Sequence, residues 1–143
     1  MKLLHTNAVS LEGSGLLITG PSGSGKSDLT LRLMDAGWSL VGDDYCNVWA
    51  EDDCLWAKPH DNTKGKVEVR GLGIIDVPFA PKTKIVGMIE LMPNIDEIDR
   101  MPKITQKKQE NINLFYLKVY PFEQSAPIKI KYFIKKISGY ISE

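Results

Sequence analysis

Apolar and polar positions follow two different spacings along this chain. Residues 3–11 alternate loosely and predict a strand, which Gly13 and Gly15 break. Leu16–Thr19 is a short apolar run of strand type bounded by glycine. Over Ser27–Ala36 the spacing becomes helical, with Leu29, Leu33 and Met34 on one stripe, and Gly37 stands where a helix C′ residue belongs. Ser39–Gly42 returns to strand. Strand, glycine-rich loop, helix and strand thus fall within about thirty residues, the size of a βαβ unit. Tyr45–Trp49 and Cys54–Ala57 predict two further strands with Glu51-Asp52-Asp53 as their turn. Lys66–Arg70 alternates up to Gly71; Ile74–Val77 and Ile85–Leu91 are strands separated by Pro78 and Pro81; Leu114–Tyr120 is another. Residues 93–113 are polar and punctuated by proline, and the expectation there is a mobile loop. Ala126–Ile141 closes the chain as a helix with Pro127 in its first turn. The pattern is that of an α/β domain rich in strand.

Length and composition narrow this to one domain, 1–143, of an ordinary soluble type: 43% of residues are hydrophobic and 25% charged. No apolar run approaches the roughly 18 residues of a spanning helix. The two leucines before His5 are too short a stretch for a secretory leader, so a cytoplasmic location without a membrane partner is expected. Cys46 and Cys54 lack a zinc-site spacing, and His5 and His60 add no cluster to them, which leaves two reduced thiols. Lys plus Arg and Asp plus Glu both number 18, which disfavours a nucleic-acid partner. The charge is uneven, however. Residues 1–80 carry 7 basic against 11 acidic side chains, a net of −4, and residues 81–143 carry 11 against 7, a net of +4. Solvated faces account for this, or a basic C-terminal surface, including Lys129–Lys136, that steers an acidic protein partner.

The chemistry concentrates in Gly20-Pro21-Ser22-Gly23-Ser24-Gly25-Lys26-Ser27, which satisfies G-x-x-x-x-G-K-[ST] at every fixed position. Glycines permit a tight loop whose backbone N–H groups point inward at phosphate oxygens. Lys26 then reaches the β- and γ-phosphates, Ser27 supplies a hydroxyl to magnesium, and the following helix aims its positive end at the anion. Downstream, Leu40-Val41-Gly42-Asp43-Asp44 ends a strand in two carboxylates. On a strand these point to opposite faces, one toward a metal or an incoming hydroxyl, the other toward a supporting shell. A carboxylate beside a bound γ-phosphate can take a hydroxyl proton as general base.

A second unusual stretch is Val67-Glu68-Val69-Arg70-Gly71-Leu72-Gly73-Ile74-Ile75-Asp76. Strand period places Glu68 and Arg70 on one face, a carboxylate suited to a metal beside a guanidinium suited to phosphate. A structural ion pair before a turn explains the two residues equally well. Gly71 and Gly73 allow the backbone to approach a ligand or a neighbouring strand.

The succession GPSGSGKS, LVGDD and VEVRGLGIIDV resembles the catalytic domain of the HPr kinase/phosphorylase family, bacterial enzymes acting on a serine of the phosphocarrier protein HPr. The likeness begins in LHTNAVSLEGSGLLITG, where His5 stands at the family's functional histidine. It runs through Asp76 and more loosely to residue 100. No counterpart of the family's N-terminal regulatory domain is present in these residues, as in the short alphaproteobacterial form. The implied fold is a P-loop kinase domain of the HPr kinase/phosphoenolpyruvate carboxykinase-like type, a mixed β-sheet with flanking helices. The implied activity is ATP- and Mg2+-dependent phosphorylation of HPr, which regulates the phosphotransferase system. By resemblance, Lys26 and the loop Gly20–Ser27 bind the donor, Ser27 and Glu68 hold magnesium, Asp44 is the base, and Asp43 supports it. His5 lies by the catalytic carboxylate, Arg70 meets phosphate or the substrate loop, and Arg100 is a further catalytic arginine. Hexameric assembly is implied in the same way. The longer enzymes carry a proline- and arginine-bearing loop tied to dephosphorylation; here Tyr120-Pro121-Phe122-Glu123-Gln124 stands instead, with no arginine after Arg100, which weighs against the phosphorylase reaction. The rival readings are a P-loop small-molecule kinase and a non-catalytic nucleotide-sensing module.

Overall fold

In the computed structural model, which describes residues 1–141, the two spacings resolve into eleven strands and two helices among those residues. Ser142 and Glu143, the last residues of the expected domain, lie outside the described residues. The strands are β1 (Lys2–Leu4), β2 (Asn7–Leu11), β3 (Ser14–Thr19), β4 (Ser39–Gly42), β5 (Cys46–Glu51), β6 (Cys54–Pro59), β7 (Lys66–Val69), β8 (Gly73–Asp76), β9 (Thr83–Leu91), β10 (Thr105–Gln109) and β11 (Ile112–Val119). The helices are α1 (Lys26–Asp35) and α2 (Ala126–Ile141), and a short 3₁₀ turn occupies Ile95–Glu97. No described helix is long and apolar enough to cross a membrane.

Nine strands form one curled mixed sheet, ordered β1-β5-β6-β9-β3-β2-β4, with β11 joined to β9 and β10 to β11; β7 and β8 form a separate hairpin. The β3–β9 and β9–β11 pairs are parallel, and the other strand pairs are antiparallel. One edge of β9 serves two neighbours: Thr83–Ile85 pairs with β6 and Gly87–Leu91 with β11. A bulge makes the change of partner possible. The register against β3 jumps from Gly15↔Ile85 to Leu16↔Gly87, so Val86 is the extra residue. Gly87 then lies so close to Leu16 and Phe133 that a Cβ there would come 2.7 Å from Leu16 Cδ2.

Strand alternation sorts the apolar side chains onto two faces. One core joins Val9, Leu16, Ile18, Ile89 and Leu91 of the sheet to Leu29 and Leu33 of α1 and to Ile130, Phe133, Ile134 and Ile137 of α2. Both helices therefore cover the same face. The other core fills the curl with Ala8, Leu17, Val41, Cys46, Val48, Leu55, Ile85, Met88 and Leu114.

The structure corrects three expectations. Residues 3–11 are not one strand: His5 and Thr6 form a bend, and β1 pairs with β5 while β2 pairs with β3 and β4. Thr6 Oγ1 pins that corner by donating to the Ile18 carbonyl at 2.9 Å. Residues 93–113 are not one loop, because they contain β10, a strand with four exposed residues in five and no apolar face to betray it. Its turn to β11, Glu110-Asn111, has φ values of 51° and 64°, a two-residue turn without the usual glycine. Third, Asp43 and Asp44 lie beyond the end of β4, in a bend rather than on a strand. The acidic turn between β5 and β6 is where it was expected, with Asp52 and Asp53 at φ 54° and 61°.

Candidate active site

Sheet topology brings the chemistry to one edge. The carboxyl ends of β3, β9 and β11 lie together there; β2, antiparallel to β3, adds its start, and β4, antiparallel to β2, adds its end. The residues following β3 form the phosphate-binding loop. Gly23 and Gly25 take left-handed backbone angles, φ 80° and 101°, which a side chain would resist. Gly25 caps α1, accepting at its carbonyl the Leu29 N–H at 3.0 Å. Lys26 is 7% exposed and turns its Nζ into the loop, donating to the carbonyls of Gly20 at 2.5 Å and Pro21 at 3.4 Å. Ser24 Oγ is buried with no hydrogen-bond partner among the described residues. A buried hydroxyl without an acceptor fits a loop built to receive phosphate oxygens.

The acidic pair is held from the other side. Asp43 Oδ1 accepts from Ser27 Oγ at 2.9 Å and from Asn7 Nδ2 at 3.0 Å. The same Asn7 Nδ2 donates to Thr30 Oγ1 of α1 at 2.9 Å, and Asn7 Oδ1 accepts the Asp44 N–H at 3.0 Å. One wholly buried asparagine thus fixes both aspartates and ties them to the helix behind the loop. Gly42 permits the bend: a Cβ there would collide with the Tyr45 carbonyl. Asp44 follows in a left-handed conformation, φ 68°, with its side chain exposed. Tyr45 stacks on His5 with centroids 4.9 Å apart and planes at 22°, which sets His5 beside this bend.

Ser27 and Asp43 place two hard oxygens side by side, a donor set that suits Mg2+. No group of three or more His, Cys, Asp or Glu able to hold a metal occurs among the described residues. Glu68 on β7 adjoins this pair, its backbone amide acting on the Asp43 carboxylate. Its carboxyl group is exposed, and with Val69, Arg70, Gly71 and Gly73 it lines a recess of about 400 Å³. β7 ends at Val69, so Arg70 lies in the turn and not on the Glu68 strand face. Arg100 lies exposed between the 3₁₀ turn and β10, and no hydrogen bond or ion pair among the described residues links it to the loop or to Asp43. The structure therefore brings together Lys26, Ser27, Asp43, Asp44, His5 and Glu68, sets Arg70 in the turn after Glu68, and gives Arg100 no bond to them among the described residues.

Burial raises the pKa of Asp43, opposed by the Ser27 hydrogen bond and reinforced by the neighbouring charge of Asp44. A carboxyl whose pKa is higher in the folded state makes the fold less stable where it is ionised, and that penalty disappears as pH falls through the folded and then the unfolded pKa. Asp43→Asn is therefore expected to raise the Tm at neutral pH, with the gain shrinking as pH falls into the ordinary carboxylate range. Thermal melts of both proteins across that range measure it; a gain that grows toward acid would contradict the assignment.

Asn7 and Thr30 are site residues that sequence reasoning missed. The one signal was a polar pair, Thr6-Asn7, interrupting an otherwise apolar alternation. Both of these residues are almost wholly buried.

Fold and loop together define a P-loop domain of kinase type. Residues 1–119 match the family described as HPr Serine kinase C-terminal domain, and the chain belongs to that family. The HPr kinase/phosphorylases of Streptococcus pneumoniae strains Hungary19A-6 and ATCC BAA-255 / R6 are 43% identical over 75 residues, 52% of this chain and 24% of each relative. The matched stretch thus spans about a quarter of the length of those curated relatives. The solved structure of the HPr(Ser) kinase/phosphatase from Coxiella burnetii superposes with a TM-score of 0.85 over 100% of both chains, at 23% identity. That likeness shows the fold, and the family and the mixed sheet with flanking helices expected from the sequence are borne out.

Proposed function

We propose that residues 1–143 act as one catalytic unit that transfers the γ-phosphoryl group of ATP, with Mg2+, to a serine of HPr in the cytoplasm. The observation that carries this reading is the linkage of Ser27 to Asp43 and, through Asn7, to Asp44 directly behind the phosphate-binding loop. Bound magnesium would lie on Ser27 and Asp43, with Glu68 in reach, and would neutralise charge on the transferring group.

The chain's own residues do the rest. Lys26 leaves the Gly20 carbonyl for the β- and γ-phosphates, and the backbone N–H groups at the start of α1 cradle them. Asp43 is already engaged by Ser27 and Asn7, which suits a supporting role. Asp44, exposed at the bend, accepts the serine proton as the serine oxygen bonds to phosphorus and the bond to the ADP oxygen breaks. His5 stands against Tyr45 at that bend, and Arg70 at the recess rim faces the acceptor. Arg100 acts only if its segment meets the acceptor or a neighbouring subunit of a hexamer. The reverse, phosphorylase reaction is not part of this proposal, because the Tyr120–Gln124 loop holds no arginine.

The test is purified protein with HPr, Mg2+ and γ-labelled ATP. Label on an HPr serine is the expected result. ATP bound but never transferred would point to a sensing module, and label on a metabolite without HPr to a small-molecule kinase; either overturns the reading.

A further inference from the structure

Phe122 stands against the phosphate-binding loop. A Cβ on Gly25 would lie 3.2 Å from its Cε1 and 3.3 Å from its Cζ, so the tip of the ring rests on that glycine. Even so, the residue is 59% exposed. The backbone that carries it is firmly held. Arg32 of α1 donates from Nη2 to the Pro121 carbonyl and from Nη1 to the Glu123 carbonyl at 3.4 Å. Asp28 pairs with the same guanidinium at 3.1 Å, and Pro121 is buried. Tyr120 packs edge-on against Phe122, with centroids 5.7 Å apart and planes at 76°. An apolar ring is therefore held beside the phosphate-binding loop with more than half of its surface open to solvent.

Its position says for what. β11 runs parallel to β9, as β9 does to β3, so the connection Tyr120–Ser125 leaves the sheet at the carboxyl ends where such sheets take their ligands. The loop on one side of Phe122 is built for a chain of phosphates. What extends beyond the phosphates of a nucleotide is a ribose and a planar base, and an aromatic ring is the side chain that stacks on a base whatever its hydrogen-bonding edge. We propose that Phe122, backed by Tyr120, is the stacking wall for the base of the bound nucleotide. It lets the site distinguish a nucleoside phosphate from a bare polyphosphate. This rests on the ATP reading above and goes beyond it by assigning the base a residue.

The test measures binding of MgADP and of inorganic tripolyphosphate by calorimetry to the wild type, Phe122→Ala, Phe122→Leu and Phe122→Tyr, with a melt of each to confirm folding. The expected result is that Phe122→Ala weakens MgADP by about tenfold or more, the scale of one lost base–aromatic stack, and leaves tripolyphosphate unchanged. Leu, which keeps an apolar cover on Gly25 without a π-face, also weakens MgADP; Tyr does not. Equal losses for both ligands would reduce Phe122 to a prop for Gly25 and overturn the proposal. So would a Leu variant that binds MgADP like the wild type, or a wild type that holds tripolyphosphate as tightly as MgADP. A wild type that binds neither ligand overturns the ATP reading itself, and this inference with it.

Discussion

Asp44→Asn is expected to slow phosphoryl transfer to the acceptor serine by about 10²–10⁴-fold, the range of a positioned general base, with MgATP binding retained. The side chain is exposed at the bend, whereas Asp43 is spoken for by Ser27 and Asn7. The substitution should not disturb the backbone, because asparagine tolerates the left-handed angles that Asp44 adopts, and the Asp44 N–H keeps its acceptor on Asn7. Single-turnover transfer beside calorimetric MgATP binding separates chemistry from affinity. If Asp44→Asn transfers normally, Asp44 is not the base.

The second large effect belongs to Asn7→Ala. This residue is 0% exposed and makes three hydrogen bonds, to Thr30 Oγ1, Asp43 Oδ1 and the Asp44 N–H. Truncation leaves buried partners unpaired and opens a small void, for an expected loss of about 1–3 kcal/mol. Urea denaturation with an unchanged m-value measures that loss. The catalytic consequence is the more specific one. In the proposed mechanism Asn7 is a positioning residue, so the fall should appear in kcat, with the KM for ATP nearly constant. A variant whose KM alone rises would place Asn7 in donor binding instead.

The sequence made the phosphate-binding loop legible because its geometry leaves few residue types free: Gly23 and Gly25 need left-handed angles, and Lys26 and Ser27 need their side-chain chemistry. The strands were equally readable: Leu16, Leu17 and Ile18 form a continuous apolar run buried on both faces, and Leu55 and Ala57 repeat at the period of a pleated sheet. β10 was not, because it sits at the sheet margin with no buried face and pairs only with β11. The corner at His5 and Thr6 was hidden for another reason: no glycine or proline marks it, and only tertiary pairing shows that β1 belongs to β5. In the site, motif spacing found Asp43 and Asp44 but misjudged their backbone, since the bend depends on the contact between Gly42 and Tyr45. Asn7 escaped for the same reason. Its partners, Thr30 and the two aspartates, are distant in sequence and meet only after folding.

β3 meets β2 across a tight turn, but its other edge is closed by β9, where Thr19 lies opposite Glu90. During synthesis the hairpin emerges early and its second partner late. Until Leu91 has left the ribosome, β3 lacks its parallel neighbour, and Leu16 and Ile18 lack Ile89 and the final helix that cover them in the finished core. Pairings this distant in sequence form slowly, and an unpaired apolar strand edge is a template for intermolecular pairing in the meantime. The vulnerable species is thus the nascent chain. A translational pause or a truncation upstream of β9 would expose it for longer, however well the completed domain holds together.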